Sequence, residues 1–509
     1  MTASVWSVDP RTGERREQVT AEADAAGVDA VVRAVHRTRG ALADQAARTA
    51  LLRAAAGQLE ALRTEIVRVA DAETALGEAR LQGELARSAY QLRAFADEVG
   101  DGDYLGVIID HADGTLSPER PDLRRYKIPL GVVAVYAASN FPLAFSVPGG
   151  DTASALAAGC PVVVKAHPNH PATSELCANA LRCAAAAVGL PENVISLVHG
   201  FEAGVELVRH PLVTAAGFTG SVNGGRALFD LAAARPTPIP FHGELGSLNP
   251  VVVTEAAAGE RAEELGTGLA GSVTLGVGQF CVKPGLVLVP EGGAGDRLIA
   301  SLATRVARET GGHLLDSRIR DAFVAGVAAR RALPEVEAPV APGPGAANSA
   351  VAGILTAPAK RLTGDGPHRL LLEECFGPVT VIARYTDEAE IAAVLARLPG
   401  NLTATVQLSE EETHSAGGHG ARLIAALTPL AGRIVVNGWP TGVAVAPAQH
   451  HGGPYPASTS VSTSVGATAI ERWLRPVTYQ NTPAALLPLE LRDDNPLNVP
   501  RRVNSVREC

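Results

Sequence analysis

Four uninterrupted apolar runs pace the stretch between residues 131 and 219: Gly-Val-Val-Ala-Val-Tyr from Gly131, Val162-Val-Val-Lys, Val194-Ile-Ser-Leu-Val and Val213-Thr-Ala-Ala-Gly-Phe-Thr. Helical patterns over Ser146–Ala158, Ala172–Ala187 and Gly200–Arg209 lie between them. Strands without polar alternation are buried on both faces, and strand alternating with helix builds a doubly wound parallel sheet. Ligands of such sheets bind outside the carboxyl ends of the strands. Asn140, Lys165 and Thr219–Ser221 fall at or just after those ends. A second set begins near Asn249 with Pro-Val-Val-Val and continues at Gly285–Pro290, Val379–Ala383 and Arg433–Asn437. The fold class expected is therefore α/β, with two doubly wound, Rossmann-like domains. A chain of 509 residues requires more than one core.

The flanks read differently. Residues 20–100 are helical in pattern over Val28–Arg39, Ala47–Ala70 and Leu81–Val99, with apolar residues three and four apart. Tyr104–Lys127 breaks into short apolar runs with Asp-Gly and Pro, a hairpin-like excursion. Ala338–Ala347 is rich in Pro and Gly and reads as a surface loop. The tail from Trp473 is too apolar to be a free terminus.

Charge and cysteine usage exclude several functions. The formal net charge of −9 argues against a nucleic-acid or anionic-membrane surface. No apolar run reaches the roughly 20 residues of a membrane span, and the N-terminus shows neither the basic nor the apolar region of a signal peptide. Six cysteines (160, 177, 183, 281, 375, 509) lack CxxC spacing. That disfavours a zinc site or a disulfide framework and suits a reducing cytoplasm.

Cys281 lies in Gly-Val-Gly-Gln-Phe-Cys-Val-Lys-Pro-Gly and Glu244 in Phe-His-Gly-Glu-Leu-Gly-Ser-Leu-Asn-Pro. A thiolate takes an acyl group from an electrophilic carbon, and a carboxylate activates the water that removes it. Taken alone, a cysteine is more often a small buried hydrophobe. The series around it changes that balance: Tyr-Ala-Ala-Ser-Asn-Phe-Pro-Leu (136–143), Val-Val-Val-Lys-Ala-His-Pro (162–168), Gly-Phe-Thr-Gly-Ser (217–221), Gly-Glu-Leu-Gly (243–246), the Cys281 segment and Glu-Glu-Cys-Phe-Gly-Pro-Val (373–379). Six motifs in this order resemble the aldehyde dehydrogenase superfamily over nearly the whole chain. His451-Gly-Gly-Pro-Tyr-Pro and Leu474-Arg-Pro-Val point to its NADP-preferring branch of 2-oxoglutarate semialdehyde and fatty aldehyde dehydrogenases.

The resemblance implies a division into a cofactor domain (1–108 and 128–246), a catalytic domain (247–472) and an oligomerisation arm and tail (109–127 and 473–509), assembled as a homodimer or homotetramer. It makes Cys281 the nucleophile, Asn140 the oxyanion-hole amide and Glu244 the hydrolytic base; coenzyme-A-acylating relatives generally lack that carboxylate. The cofactor residues it implies are Phe141, Lys165, His167, Pro168, Gly220, Ser221, Leu245, Glu374 and Phe376. NAD-preferring relatives carry glutamate where this chain has Pro168, so NADP is preferred and NAD accepted. His170 reads as an incidental surface residue. Phe145, Phe280, Val282, Thr441 and, at the tunnel mouth, His451 are expected to line the substrate path. The implied substrate is 2-oxoglutarate semialdehyde; the alternatives are a medium- or long-chain or specialised-metabolite aldehyde, or an inactive scaffold of the same fold. No arginine falls in a recognisable substrate motif, so no anchor for a substrate carboxylate is legible.

Overall fold

The computed structural model describes residues 2–508; Met1 and the last cysteine, Cys509, lie outside the described residues. The first parallel sheet comprises β1 (Val132–Tyr136), β2 (Val162–Lys165), β3 (Ile195–Val198), β4 (Val213–Thr219) and β5 (Phe241–Glu244), in spatial order β3-β2-β1-β4-β5. Along β1, Val133 and Val135 enter one apolar core while Val132, Ala134 and Tyr136 enter another on the opposite face. Two buried faces explain the absence of polar alternation in that run. The strand order reverses between β1 and β4, which places a crevice at the carboxyl ends of both.

The second sheet contains β6 (Val251–Val253), β7 (Leu286–Pro290), β8 (Gly353–Pro358), β9 (Val379–Tyr385), β10 (Asn401–Gln407) and β11 (Ala431–Val436). Their order is β8-β9-β7-β6-β10-β11, all parallel. Glu337–Val340 adds an antiparallel edge beside β8. That edge overlaps the start of the segment Ala338–Ala347 expected to be a loop. Its one proline, Pro339, is tolerated because an edge strand has one unpaired side.

A third sheet joins Leu474–Gln480, Leu123–Pro129, Val107–Asp110, Arg501–Val503 and Val506–Glu508. The tail is thus tied down, with Leu487, Leu491 and Val499 buried. The helical block differs from expectation at one point. Ala47–Ala70 is two helices, Gln45–Ala61 and Arg63–Thr74, broken where Leu62 leaves helical geometry (φ −94°, ψ 10°). Three helices bear on the site: α1 (Glu78–Asp101), α2 (Val222–Ala233) and α3 (Glu255–Thr274). Among the described residues no helix is long and apolar enough to cross a membrane.

Candidate active site

Cys281 is half-buried on the loop between α3 and β7. Three successive residues before it, Gly276, Val277 and Gly278, have φ of 56°, 58° and 66°. Two are glycines, for which the left-handed region is free. A Cβ on Gly278 would lie 2.3 Å from the Gly377 carbonyl oxygen. Val277 is β-branched, and its conformation costs on the order of 1–3 kcal/mol. The loop is held by side chains the sequence did not single out. Asn249 is buried, and its Nδ2 donates to the carbonyls of Cys281 (2.8 Å) and Lys283 (3.0 Å). Its Oδ1 accepts from Thr403 N and Oγ1 at 3.2 and 3.0 Å. Gln279 Oε1 accepts from Leu315 N at 3.1 Å. Asn249→Ala leaves two buried carbonyls without donors, a loss of about 1–3 kcal/mol for each. A lowered Tm in calorimetry, with a larger drop in kcat than in cofactor affinity, is the expected outcome.

Glu244 ends β5 and is 3% exposed. Its Oε1 lies 2.9 Å from His451 Nε2, and its Oε2 accepts from Ser464 Oγ at 2.7 Å. His451 Nε2 also lies 3.6 Å from Cys281 Sγ. The ring's Nδ1 is buried with no protein partner. The network therefore assigns the proton to Nε2, donated to Glu244. Burial opposes the Glu244 charge, yet His451, Ser464 and the thiol hold its carboxyl below the usual range. Burial first, and then the Glu244 charge, push the Cys281 thiol well above its ordinary value. At rest the site pairs a neutral thiol with an ionised carboxylate. Asn140 follows β1; its Nδ2 donates to Gln279 O at 3.0 Å, which leaves a second amide N–H free.

Two cavities meet at Cys281, the one residue that lines both. The larger, ≈ 480 Å³, holds Asn140, Gly220, Ser221, Glu244, Leu245, Glu374 and Phe376. It shares Ser139, Thr219, Gly220 and Ser221 with a further cavity of ≈ 470 Å³ lined by Lys165, His167 and Arg318. The smaller, ≈ 120 Å³, lies on the opposite side of the thiol among Phe141, Phe145, Phe280, Val282, Val443, Arg87 and His451.

The large crevice fits a dinucleotide. Ser221 caps α2 by accepting from Gly224 N at 3.2 Å, and the first-turn N–H groups of Val222 and Asn223 remain for a pyrophosphate. Burial lowers the Lys165 ammonium to about 8, as expected of a cation awaiting an anionic or polar partner. At the other end Glu374, raised by burial to about 7, crowds Gly246, whose Cβ would lie 2.4 Å from Glu374 Oε2. The buried Lys283 offsets part of that rise; its Nζ donates to Val379 O at 2.7 Å.

Several placements differ from the sequence expectations. Phe141, expected on the cofactor side, turns its ring into the small cavity against Phe145 and Phe280, with centroids 5.3 and 5.2 Å apart. Thr441, expected in the substrate wall, instead bonds its hydroxyl to Ser272 of α3; Gly442 and Val443 take the wall. His451 is not at a mouth but 1% exposed beside the thiol. Pro168 is exposed and absent from the crevice lining, whereas His167 reaches it. His170 is fully buried, bonded to Ala138 O at 2.8 Å. Arg318 and Ser464 escaped the sequence reading because neither lies within a recognised motif; Asn249 lies in the Glu244 segment but was given no role.

A dinucleotide-type crevice that opens onto a cysteine carried by a second α/β domain defines an oxidoreductase working with a nicotinamide cofactor. The chain belongs to the aldehyde dehydrogenase family, whose sequence pattern matches residues 2–476. It is an NAD(P)-dependent aldehyde dehydrogenase. It is 48% identical to alpha-ketoglutaric semialdehyde dehydrogenase 2 of Azospirillum brasilense over 465 residues, covering 90% of this chain and 86% of that one. It is 44% identical to alpha-ketoglutaric semialdehyde dehydrogenase of Acinetobacter baylyi over 453 residues, covering 88% and 85%. Among solved structures, 1-pyrroline-5-carboxylate dehydrogenase from Thermus with bound NAD superposes with a TM-score of 0.80 at 20% identity, covering 94% of this chain and 90% of that one. At that identity the likeness speaks for the fold.

Proposed function

We propose that this enzyme oxidises 2-oxoglutarate semialdehyde to 2-oxoglutarate through a thioester on Cys281. The observation that carries the reading is the position of Cys281 at the junction of a dinucleotide-sized crevice and a small aromatic-walled cavity. The substrate follows from the two relatives at 44–48% identity, both of which act on this aldehyde by name.

In this reading Glu244 takes the thiol proton as Sγ attacks the aldehyde carbon, and His451 Nε2–H steadies both carboxylate and thiolate. The free N–H of Asn140 faces the oxyanion of the thiohemiacetal; such a donor contributes roughly 3–4 kcal/mol. A bound NAD(P)+ supplies the hydride acceptor, held by Lys165, Ser221 and the first turn of α2, with Leu245, Glu374 and Phe376 at the reactive end. Glu244, freed of its proton, then activates water against the thioester. Burial of the aromatic cavity wall keeps other water out.

NADP is the preferred cofactor. Lys165, Arg318 and the neutral His167 face the adenosine end of the crevice, and no carboxylate stands at position 168 to repel a 2′-phosphate. Pro168→Glu is expected to move the NADP/NAD ratio of kcat/KM toward NAD by about tenfold or more; an unchanged ratio places the phosphate elsewhere. The third sheet, built mostly from residues outside both α/β domains, suits pairing of subunits as a dimer or tetramer. A free catalytic thiol suits a reducing cytoplasm.

Steady-state NAD(P)H formation tests the substrate. With 2-oxoglutarate semialdehyde, succinate semialdehyde and a straight-chain aldehyde series, kcat/KM should peak at 2-oxoglutarate semialdehyde. A peak that climbs with chain length contradicts it.

A further inference from the structure

The small cavity is not wholly apolar. Arg87 projects into its wall from α1, with its Cζ 5.7 Å from the Phe145 ring centroid. One terminal nitrogen donates to the Val443 carbonyl. Its Nε and second terminal nitrogen are shielded from solvent and have no protein acceptor. Two helical turns earlier, Arg80 stacks over Phe141 and Phe280 at 5.0 and 4.6 Å and donates to the Asn140 carbonyl at 2.5 Å. Its Nε and Nη1 are likewise buried without acceptors. Arg433 pins the opposite rim by donating to the carbonyls of Gly442 (2.9 Å) and Pro440, and its Nε is unpaired too.

A single buried carboxylate, Glu84, lies between the two helix arginines in sequence. Its Oε1 accepts from Leu143 N at 2.8 Å and Ala144 N at 2.9 Å, while its Oε2 is buried without a hydrogen-bond partner; the carboxylate acts on Arg80 and Arg87 through its charge but bonds to neither. Among the described residues, none of Arg80, Arg87 and Arg433 makes an ion pair with a carboxylate within 4.0 Å. Unpaired buried cations are costly. The three arginines here are half-buried with shielded, unpaired nitrogens, and around one small cavity they leave donors for an anion that arrives from outside. Arginine's planar fork suits a carboxylate, which takes two parallel N–H bonds.

We propose that Arg87 is the carboxylate-binding residue of the substrate cavity. Arg80 and Arg433 act as flanking cations that raise the local potential and hold the cavity walls. The aldehyde carbon then sits at Cys281 and the far carboxylate at Arg87, with the aromatic rings around the carbons between. The cavity volume is only ≈ 120 Å³. That matches a short oxo acid and excludes a long alkyl chain that remains inside. The inference rests on the substrate reading above and gives it the anchor that the sequence did not reveal.

The test compares kcat/KM for 2-oxoglutarate semialdehyde with that for pentanal, in the wild type, Arg87→Gln and Arg87→Lys. The inference expects a wild-type ratio far above one. Arg87→Gln should lower that ratio about 10- to 100-fold, mostly through the KM of the charged substrate. Arg87→Lys, which keeps the charge but loses the fork, should fall between. A wild type that favours 2-oxoglutarate semialdehyde, with Arg87→Gln retaining that preference, overturns the inference and leaves the substrate reading intact. A wild type with no preference for the charged aldehyde overturns both. A second measurement needs no variant. Glutarate should slow alkylation of wild-type Cys281 by iodoacetamide, and glutaramide should not; equal effects of the two contradict a carboxylate site.

Discussion

Cys281→Ser is expected to lower kcat by on the order of 10⁴-fold or more while NADP+ still binds with near wild-type affinity. Loss of a nucleophile removes the covalent path entirely, and what remains is catalysis by positioning and electrostatics alone. Serine is of similar size but is far less ionised at neutral pH. The half-buried thiol sits in a loop fixed by Asn249 and Gln279, so the substitution leaves the backbone in place. Rapid kinetics with titrated cofactor check both halves. Turnover within tenfold of wild type rejects Cys281 as nucleophile, and loss of cofactor binding points to a collapsed crevice instead.

Glu244→Gln is expected to separate the two half-reactions. The amide keeps the shape and the Ser464 contact but cannot take a proton. Deacylation should slow by about 10²–10⁴-fold, the usual worth of a positioned general base. Acylation should slow as well, because the same carboxylate accepts the thiol proton. The pH dependence of the thiol gives an independent reading. Cys281 is raised by burial and by the Glu244 charge. Removing that charge favours the thiolate, so the alkylation-rate profile of Glu244→Gln should shift to lower pH than that of the wild type. A shift to higher pH contradicts the pairing of the two groups.

The sequence was most legible where one physical constraint acted alone. Burial on both faces wrote β1, β2 and β4 as apolar runs. The chemistry-bearing residues stood at their carboxyl ends in familiar motifs. β5 was not legible as a strand, since Phe-His-Gly-Glu carries no apolar run and owes its place to pairing with β4. The strand at Glu337–Val340 was hidden by Pro339, which an edge position tolerates, and by the Pro/Gly-rich residues that follow. At the site, Cys281, Glu244, Asn140 and Lys165 were legible as candidates because each lies in its own motif. His451 was noticed but placed at a mouth, because nothing local reveals that residue 451 folds back beside residue 244. Arg80 and Arg87 were invisible for the same reason. On a helix of mixed charge an arginine reads as solvated, and only the tertiary packing of α1 against the Phe141–Phe145 segment turns two of them inward.

The most direct test of the account is the mass of the enzyme during turnover. Glu244→Gln mixed with NADP+ and 2-oxoglutarate semialdehyde, quenched in acid and digested, should carry an adduct on the peptide containing Cys281. Its mass should equal that of the substrate less two hydrogens, the signature of a thioester rather than a thiohemiacetal. An unmodified Cys281 peptide in a variant that has formed its first equivalent of NADPH would contradict covalent catalysis at this residue.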